Sequence, residues 1–235
     1  YKNDRYLYFG RAAAKLDEAM PHPLPAGLEG GLSEAAFAPA LERMSHSDAC
    51  LLGPGLGRNP ETETVVRRLI QGYHGPLILD ADGINALEGH IDVLDSRKGL
   101  VTVLTPHDGE FARLGGDLSS GDRLEAARRF AREHACCLIL KGHRTITAFP
   151  DGNAYVNTTG NPGMARGGSG DVLGGILLAL MGQGLSCREA APMAVWMHGR
   201  AGDLCAGELG EYGMLPGDLV EKLPQALREC EGRRR

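Results

Sequence analysis

The sequence predicts an α/β domain built on a mostly parallel central sheet with helices on both faces. Three observations lead there. Short continuous apolar runs at 49–52, 76–80, 101–104 and 135–140 alternate with longer helical patterns, as strands buried on both faces do. Nearly every run ends in a glycine turn or a polar cluster. In an open sheet such ends gather along the carboxyl edge of the strands, so that edge is the expected site. Finally, 34 of the 235 residues are glycine, about twice the usual share of roughly 7%, and they cluster in short loops rather than in low-complexity tracts.

Composition narrows the function classes. A net charge of -5 argues against nonspecific binding to nucleic acid or to an anionic membrane. The six cysteines include no C-x-x-C pair and several lie in apolar or helical runs, which reads as reduced core thiols of a cytoplasmic protein. No apolar run approaches the roughly 18 residues of a membrane span. The arginines at 233–235 read as a tail.

Taken in order, residues 6–9 are an aromatic strand candidate and 12–19 a short helix candidate. Residues 20–31, rich in Pro and Gly, form an extended connector. Ser33 is placed to cap a helix through Met44. The strand at 49–52 runs into GPGLG at 53–57. That turn is read either as a ligand contact or as a plain strand-to-helix turn. Asn59-Pro60 supply an N-cap and a first helical residue for a helix through Ile70.

The strand at 76–80 runs into Asp80-Ala81-Asp82-Gly83-Ile84-Asn85, where Asp82 is read as a cap for the next short helix and Asn85 as pairing with backbone. The strand at 101–104 leads to Thr105-Pro106-His107 and a helix over 109–114. Residues 122–134 are amphipathic, with Leu124, Ala127 and Ala131 on one face. The strand at 135–140 ends at Lys141, which is either a solvated lysine or a charge partner for a nucleotide phosphate. Residues 144–149 and 154–157 flank Pro150-Asp151-Gly152, a hairpin signal. Ser186 caps a long helix through about Ala206 that holds Met193, Trp196 and Met197 as core, with His198 read as a satisfied buried histidine. A last helix starts over 214–218 and ends near Arg228.

The stretch at 157–181, NTTGNPGMARGGSGDVLGGILLALM, carries the chemistry. Gly167, Gly168 and Gly170 can adopt backbone angles closed to other residues and let a ligand approach the main chain. A helix starting at Ser169 or Gly170 aims unpaired amides and its dipole at that loop, which favours a phosphate. Asp171 then sits in the first turn. It is read either as a general base for a hydroxyl attacking that phosphate or as an acid stabilising the helix start. No Lys-Ser or Lys-Thr follows the glycines, and Leu173 stands where a dinucleotide fingerprint needs a small residue.

The Gly-x-Gly-Asp turn resembles the anion hole of the ribokinase-like superfamily, and GNPGMARGGSGDVLGG resembles the signature of the NAD(P)H-hydrate dehydratases. Around it stand GPGLG at 53–57, LDADGINAL at 79–87, LTPHDGEFARL at 104–114 and LKGHRT at 140–145, with MHGRAGD and PGDLVEKLP in the tail. The resemblance covers 51–227 and implies a ribokinase-like fold in a single domain over 1–235. It further implies restoration of damaged, hydrated NADH or NADPH at the expense of ADP or ATP, with ADP favoured, and with Mg2+ on the nucleotide. Carried over, Gly57 and His107 would contact the hydrate. Lys141, Gly142, His143, Arg144, Thr145 and Gly170 would contact the adenine nucleotide. Gly167, Gly168, Ser169 and Gly170 would form the anion hole, and Asp171 would be the catalytic base on the hydrate hydroxyl. A homo-oligomer, possibly a tetramer, is also implied, with no nucleic-acid or membrane partner.

Two departures stand out. The family's first strand and Gly-rich N-terminal segment are not seen upstream, and Arg166 replaces a small residue, either as a phosphate contact or as a solvated side chain. The alternatives are a vitamin-precursor or sugar kinase of the same superfamily, and a nucleotide-binding module inactive through loss of that segment.

Overall fold

The computed structural model describes residues 14–16, 18–27 and 30–232. The strand candidate at 6–9 and the arginines at 233–235 lie outside them. Of the helix candidate at 12–19, the described part contains a turn at Ala14 and Lys15 rather than helix.

The chain proceeds through α1 (Phe37–Ser45), β1 (Cys50–Leu52), α2 (Pro60–Gly72), β2 (Leu77–Leu79), α3 (Asp82–Asn85), β3 (Thr102–Leu104), α4 (Asp108–Arg113), α5 (Arg123–Glu133), β4 (Cys137–Leu140), β5 (Ile146–Ala148), β6 (Ala154–Val156), α6 (Ser169–Gly182), α7 (Cys187–Gly213) and α8 (Pro216–Gly232). The strands form one sheet in sequence order. Neighbours from β1 to β4 pair in parallel, whereas β4–β5 and β5–β6 are antiparallel.

Successive strand side chains point to opposite faces, and the core divides accordingly. Leu77, Leu79, Leu104, Leu138 and Leu140 join one cluster with residues of α2, α4 and α5. Ile78, Val103, Cys137 and Ile139 join another with α6 and α7. Helices therefore cover both faces, as the apolar runs predict. Cys136, Cys137 and Cys205 are buried, and with Cys50 and Cys187 they carry free thiols.

Most helix starts follow the sequence. Asn59 Oδ1 accepts from Thr62 N at 2.8 Å with Pro60 behind it, and Asp122 caps α5 through Glu125 N at 3.0 Å. Ser33 does not cap: its hydroxyl donates to Pro25 O instead, and a 3-10 turn at Glu34–Ala36 precedes α1. α7 runs beyond Ala206 and is interrupted only at Gly210, whose φ is 71°. The extension is held by a small cluster of Ala201, Cys205, Met214 and Leu219.

A 3-10 helix at Ile91–Arg97 was not signalled by periodicity. It delivers Arg97, 2% exposed, to the amino ends of the strands. The guanidinium donates to the carbonyls of Ile70, Tyr73, Gly75 and Val101 and to the Thr102 hydroxyl. At the sheet edge, β1 is only half-buried, and beside it lies an apolar recess of about 350 Å³ lined by residues such as Leu24, Leu32, Met44 and Leu51.

Candidate active site

The glycine turns after β1 and β2 interlock through their backbones. A Cβ at Gly53, where φ is 143°, would lie 1.7 Å from Asp80 O, and one at Gly83 would lie 2.2 Å from Leu52 O. Only glycine permits this approach. Between them Ala81 takes φ 48° and ψ -115°, a conformation that L residues adopt only under constraint. The strained residue separates two carboxylates with different tasks. Asp82 Oδ2 accepts from the exposed Gly57 amide at 2.8 Å, so Asp82 ties down the preceding glycine turn. Asn85 donates to Asp82 and accepts from Arg113; its partners are side chains, not backbone.

Asp80 is buried at 1% exposure. It accepts from Thr105 Oγ1 at 2.7 Å and from Lys141 Nζ at 2.8 Å. Lys141 is thus not a solvated lysine. Its ammonium also lies 3.8 Å from Glu110 Oε2 and 3.4 Å from where a Cβ on Gly170 would stand. The lysine from the end of β4 and the first turn of α6 are in direct proximity.

His107 ends β3's extension and caps α4. Its Nδ1 accepts from Gly109 N at 3.0 Å and Glu110 N at 3.3 Å, while Glu110 Oε2 accepts from His107 N at 2.9 Å. This reciprocal cap assigns Nδ1 as the acceptor; Nε2, on an exposed ring, lies 3.6 Å from Glu110 Oε2.

The 141–145 loop is tight. Lys141 N donates to Pro106 O at 2.8 Å, and Thr145 Oγ1 donates to Gly142 O at 3.1 Å. Arg144 sits at φ 57°, and Gly142, His143 and Arg144 are exposed along the loop.

Gly168 takes φ 95° as the N-cap of α6, and a Cβ there would press on Pro216 at 3.2 Å. The helix starts at Ser169, inside the expected range. Ser169 N is already spent on Arg166 O at 3.2 Å, which removes one of the four expected anion-hole amides. The first-turn donors of Gly170 and Asp171 remain, as at any helix start, with Gly167 exposed before them. Asp171 is exposed, and its carboxylate has no hydrogen-bond or ion-pair partner among the described residues. Arg166 is exposed, and its guanidinium donates to Tyr212 O at 2.6 Å, fastening the loop to the end of α7.

His198 matches its reading as a satisfied buried histidine only in part, through a hydrogen bond to the Ser169 backbone. Its Nε2 is buried with no hydrogen-bond partner among the described residues. Burial pushes its pKa down to about 4, against an opposing contact with the Ser169 backbone and with the Lys141 charge adding to the shift.

Asp80, Asp82 and Glu110 were not singled out as site residues by the motifs. The signals were present: Asp80 closes an otherwise apolar strand run, and Glu110 stands three residues after a capping position. Among the described residues, no group of three or more His, Cys, Asp or Glu could hold a metal ion.

The sequence profile of the NAD(P)H-hydrate dehydratase family matches residues 11–225. The chain belongs to that family. It is 46% identical over 225 residues to a bifunctional NAD(P)H-hydrate repair enzyme of Moorella thermoacetica, covering 94% of this chain and 42% of the relative. The chain thus spans about two fifths of that bifunctional protein. An ADP-dependent (S)-NAD(P)H-hydrate dehydratase of Neisseria meningitidis is 36% identical over 223 residues, covering 92% of this chain and 74% of the relative.

Among solved structures, an ADP/ATP-dependent NAD(P)H-hydrate dehydratase of Bacillus subtilis, co-crystallised with ATP/Mg2+, aligns with a TM-score of 0.67 at 30% identity, over 80% of this chain and 71% of that one. An Arabidopsis thaliana ribokinase aligns with a TM-score of 0.54 at 16% identity, over 82% and 60% of the two chains, which bears on the fold alone. The fold is ribokinase-like, and the dehydratase family's motifs occupy the carboxyl edge of its sheet.

Proposed function

We propose that this chain carries out the nucleotide-dependent dehydration of (S)-NAD(P)H-hydrate to NAD(P)H. The observation that carries the reading is Asp171. It is an exposed carboxylate, unpartnered among the described residues, in the first turn of a helix whose start follows a left-handed glycine and abuts the half-buried Lys141 ammonium. An exposed carboxylate beside first-turn amides, free of any capping partner among the described residues, supports the base reading.

In this reading Asp171 removes the proton of the hydrate hydroxyl as that oxygen bonds to the terminal phosphorus of the nucleotide. The bridging P–O bond breaks, and the shortened nucleotide leaves. The first-turn amides of α6 hold the charge that spreads over the phosphoryl oxygens. The ring nitrogen's lone pair then expels the phosphate ester, the adjacent carbon loses a proton, and the nicotinamide double bond returns. Gly57, held by Asp82, and His107, held by Glu110, form the hydrate side. Lys141 to Thr145 and Gly170 form the nucleotide side.

Magnesium would be carried on the nucleotide phosphates, because the described side chains offer no cage for it. ADP is the proposed donor, with ATP the alternative. We further propose a cytoplasmic homo-oligomer; no described helix is long and apolar enough to cross a membrane.

The test is absorbance at the reduced-nicotinamide band, with the chain mixed with NADH hydrate and magnesium and with ADP and ATP supplied separately. A nucleotide-dependent rise is expected. A folded, nucleotide-binding sample that gives no rise with either donor would sink the proposal for this chain.

A further inference from the structure

We infer that Arg123 is a positioning residue for the nucleotide loop. The inference rests on the functional reading above, since it concerns how the 141–145 loop is held for its ligand. Arg123 is the first residue of α5 and lies outside every motif of the site. Its guanidinium nevertheless reaches the loop. Nη2 donates to Lys141 O at 3.2 Å, and Nη1 pairs with Asp108, the residue after His107. Nε is buried without a partner among the described residues.

Gly142 has the shape this contact demands. A Cβ on Gly142 would lie 2.9 Å from Arg123 Nη2 and 3.6 Å from its Cζ, and φ there is 152°. The loop backbone therefore lies directly against the guanidinium, with no room for a side chain between them. A planar fork can donate to a carbonyl from one nitrogen and to a carboxylate from another in fixed geometry. Arg123 uses it that way, bracing the loop after β4 against the turn after β3. A lysine ammonium is a single point of charge on a flexible stem and cannot reproduce the brace. The role is distinct from that of Lys141, whose ammonium faces Asp80 and Gly170.

The brace does not hold His107 itself. His107 is fixed by its reciprocal cap with Glu110, which Arg123 does not enter. Loss of Arg123 should therefore loosen the nucleotide loop and spare the hydrate side.

The experiment is calorimetric titration of the whole chain with ATP and ADP in magnesium, and separately with NADH, using wild type, Arg123→Ala, Arg123→Lys and Gly142→Ala. Gly142→Ala displaces the guanidinium from the loop side and keeps the test open if an Arg123 variant fails to fold. Affinity for ATP and ADP should fall at least tenfold in all three variants, with NADH affinity changed less than threefold. Three results overturn the inference: wild-type nucleotide affinity in Arg123→Lys, which would make the charge alone sufficient; unchanged affinity in Arg123→Ala; or an equal loss for nucleotide and NADH, which would mark general loosening. If wild type binds no nucleotide, the functional reading falls and this inference falls with it.

Discussion

Replacing Arg97 by Met separates the two edges of the sheet. Arg97 lies at the amino ends of β2 and β3, whereas the candidate site lies at the carboxyl ends. The guanidinium has no carboxylate partner among the described residues; it is held by four carbonyls and one hydroxyl. Burial pushes its pKa below the ordinary value, so part of what its hydrogen bonds contribute is offset by desolvation. Methionine fills a similar volume and removes that cost.

What remains is the set of stranded acceptors. Val101 O keeps a second donor, Leu77 N at 3.0 Å. Tyr73 O and Gly75 O lose the bonds Arg97 gives them, and each buried acceptor left unmade costs about 1–3 kcal/mol. With the lost packing over Tyr73, the expected destabilisation is about 3–6 kcal/mol. That corresponds to a fall in Tm of roughly 6–20 °C for a domain of this size. The assay is urea unfolding followed by circular dichroism, with nucleotide affinity measured on the folded protein at low temperature. Stability should drop while affinity stays near wild type. A loss below about 1 kcal/mol would refute the accounting by stranded carbonyls, and a large loss of affinity in folded protein would refute the separation of the edges.

Asp171→Asn should retain nucleotide binding and lose turnover by orders of magnitude; near-normal turnover would remove Asp171 from the base role. Gly53→Ala places a Cβ 1.7 Å from Asp80 O and should cost on the order of 3 kcal/mol or more, whereas Gly175→Ala, with nothing within 4 Å, should gain about 0.5–1 kcal/mol in its helix; thermal melts of both variants check the contrast. His198, with its pKa at about 4 when folded against 6.5 ordinarily, leaves the unfolded chain binding more protons between those values. Stability should therefore fall as pH drops from about 6.5 to about 4, with His198 accounting for about 3 kcal/mol. Urea unfolding at both ends of that window should show the slope reduced by this amount in His198→Gln, and equal slopes would count against it.

Much of this was legible because it is local. β2, β3 and β4 are uniformly apolar and buried, so their runs announce themselves. Asn59-Pro60 and Asp122 act through residues three or fewer positions away. The glycine turn before Asp171 is a conformational requirement written in one stretch. What the chain did not disclose depends on partners far along it. Lys141 meets Asp80 across 61 positions, and Arg166 meets Tyr212 across 46. Arg97 is held by carbonyls of Ile70, Tyr73, Gly75 and Val101, and a carbonyl acceptor leaves no mark in residue type. Ser33 shows the converse limit: it has a capping residue's chemistry, but its hydroxyl found Pro25 O instead.

The switch from parallel to antiparallel pairing after β4 has a mechanical consequence. Most loops at the carboxyl edge leave the sheet into a helix and can swing about that junction. The 141–145 loop instead turns straight back into β5, which pairs with the strand it has just left. Both of its ends are therefore clamped to one rigid ladder, and Asn157 N, bonded to Thr145 O at 2.9 Å, adds a third tether. Such a loop cannot serve as a flap. The ordering entropy of this half of the site is settled when the sheet forms and Arg123 seats against Lys141 O, and any closure around a ligand must come from the opposite wall, where Asp82 accepts from Gly57 N in the 53–57 turn.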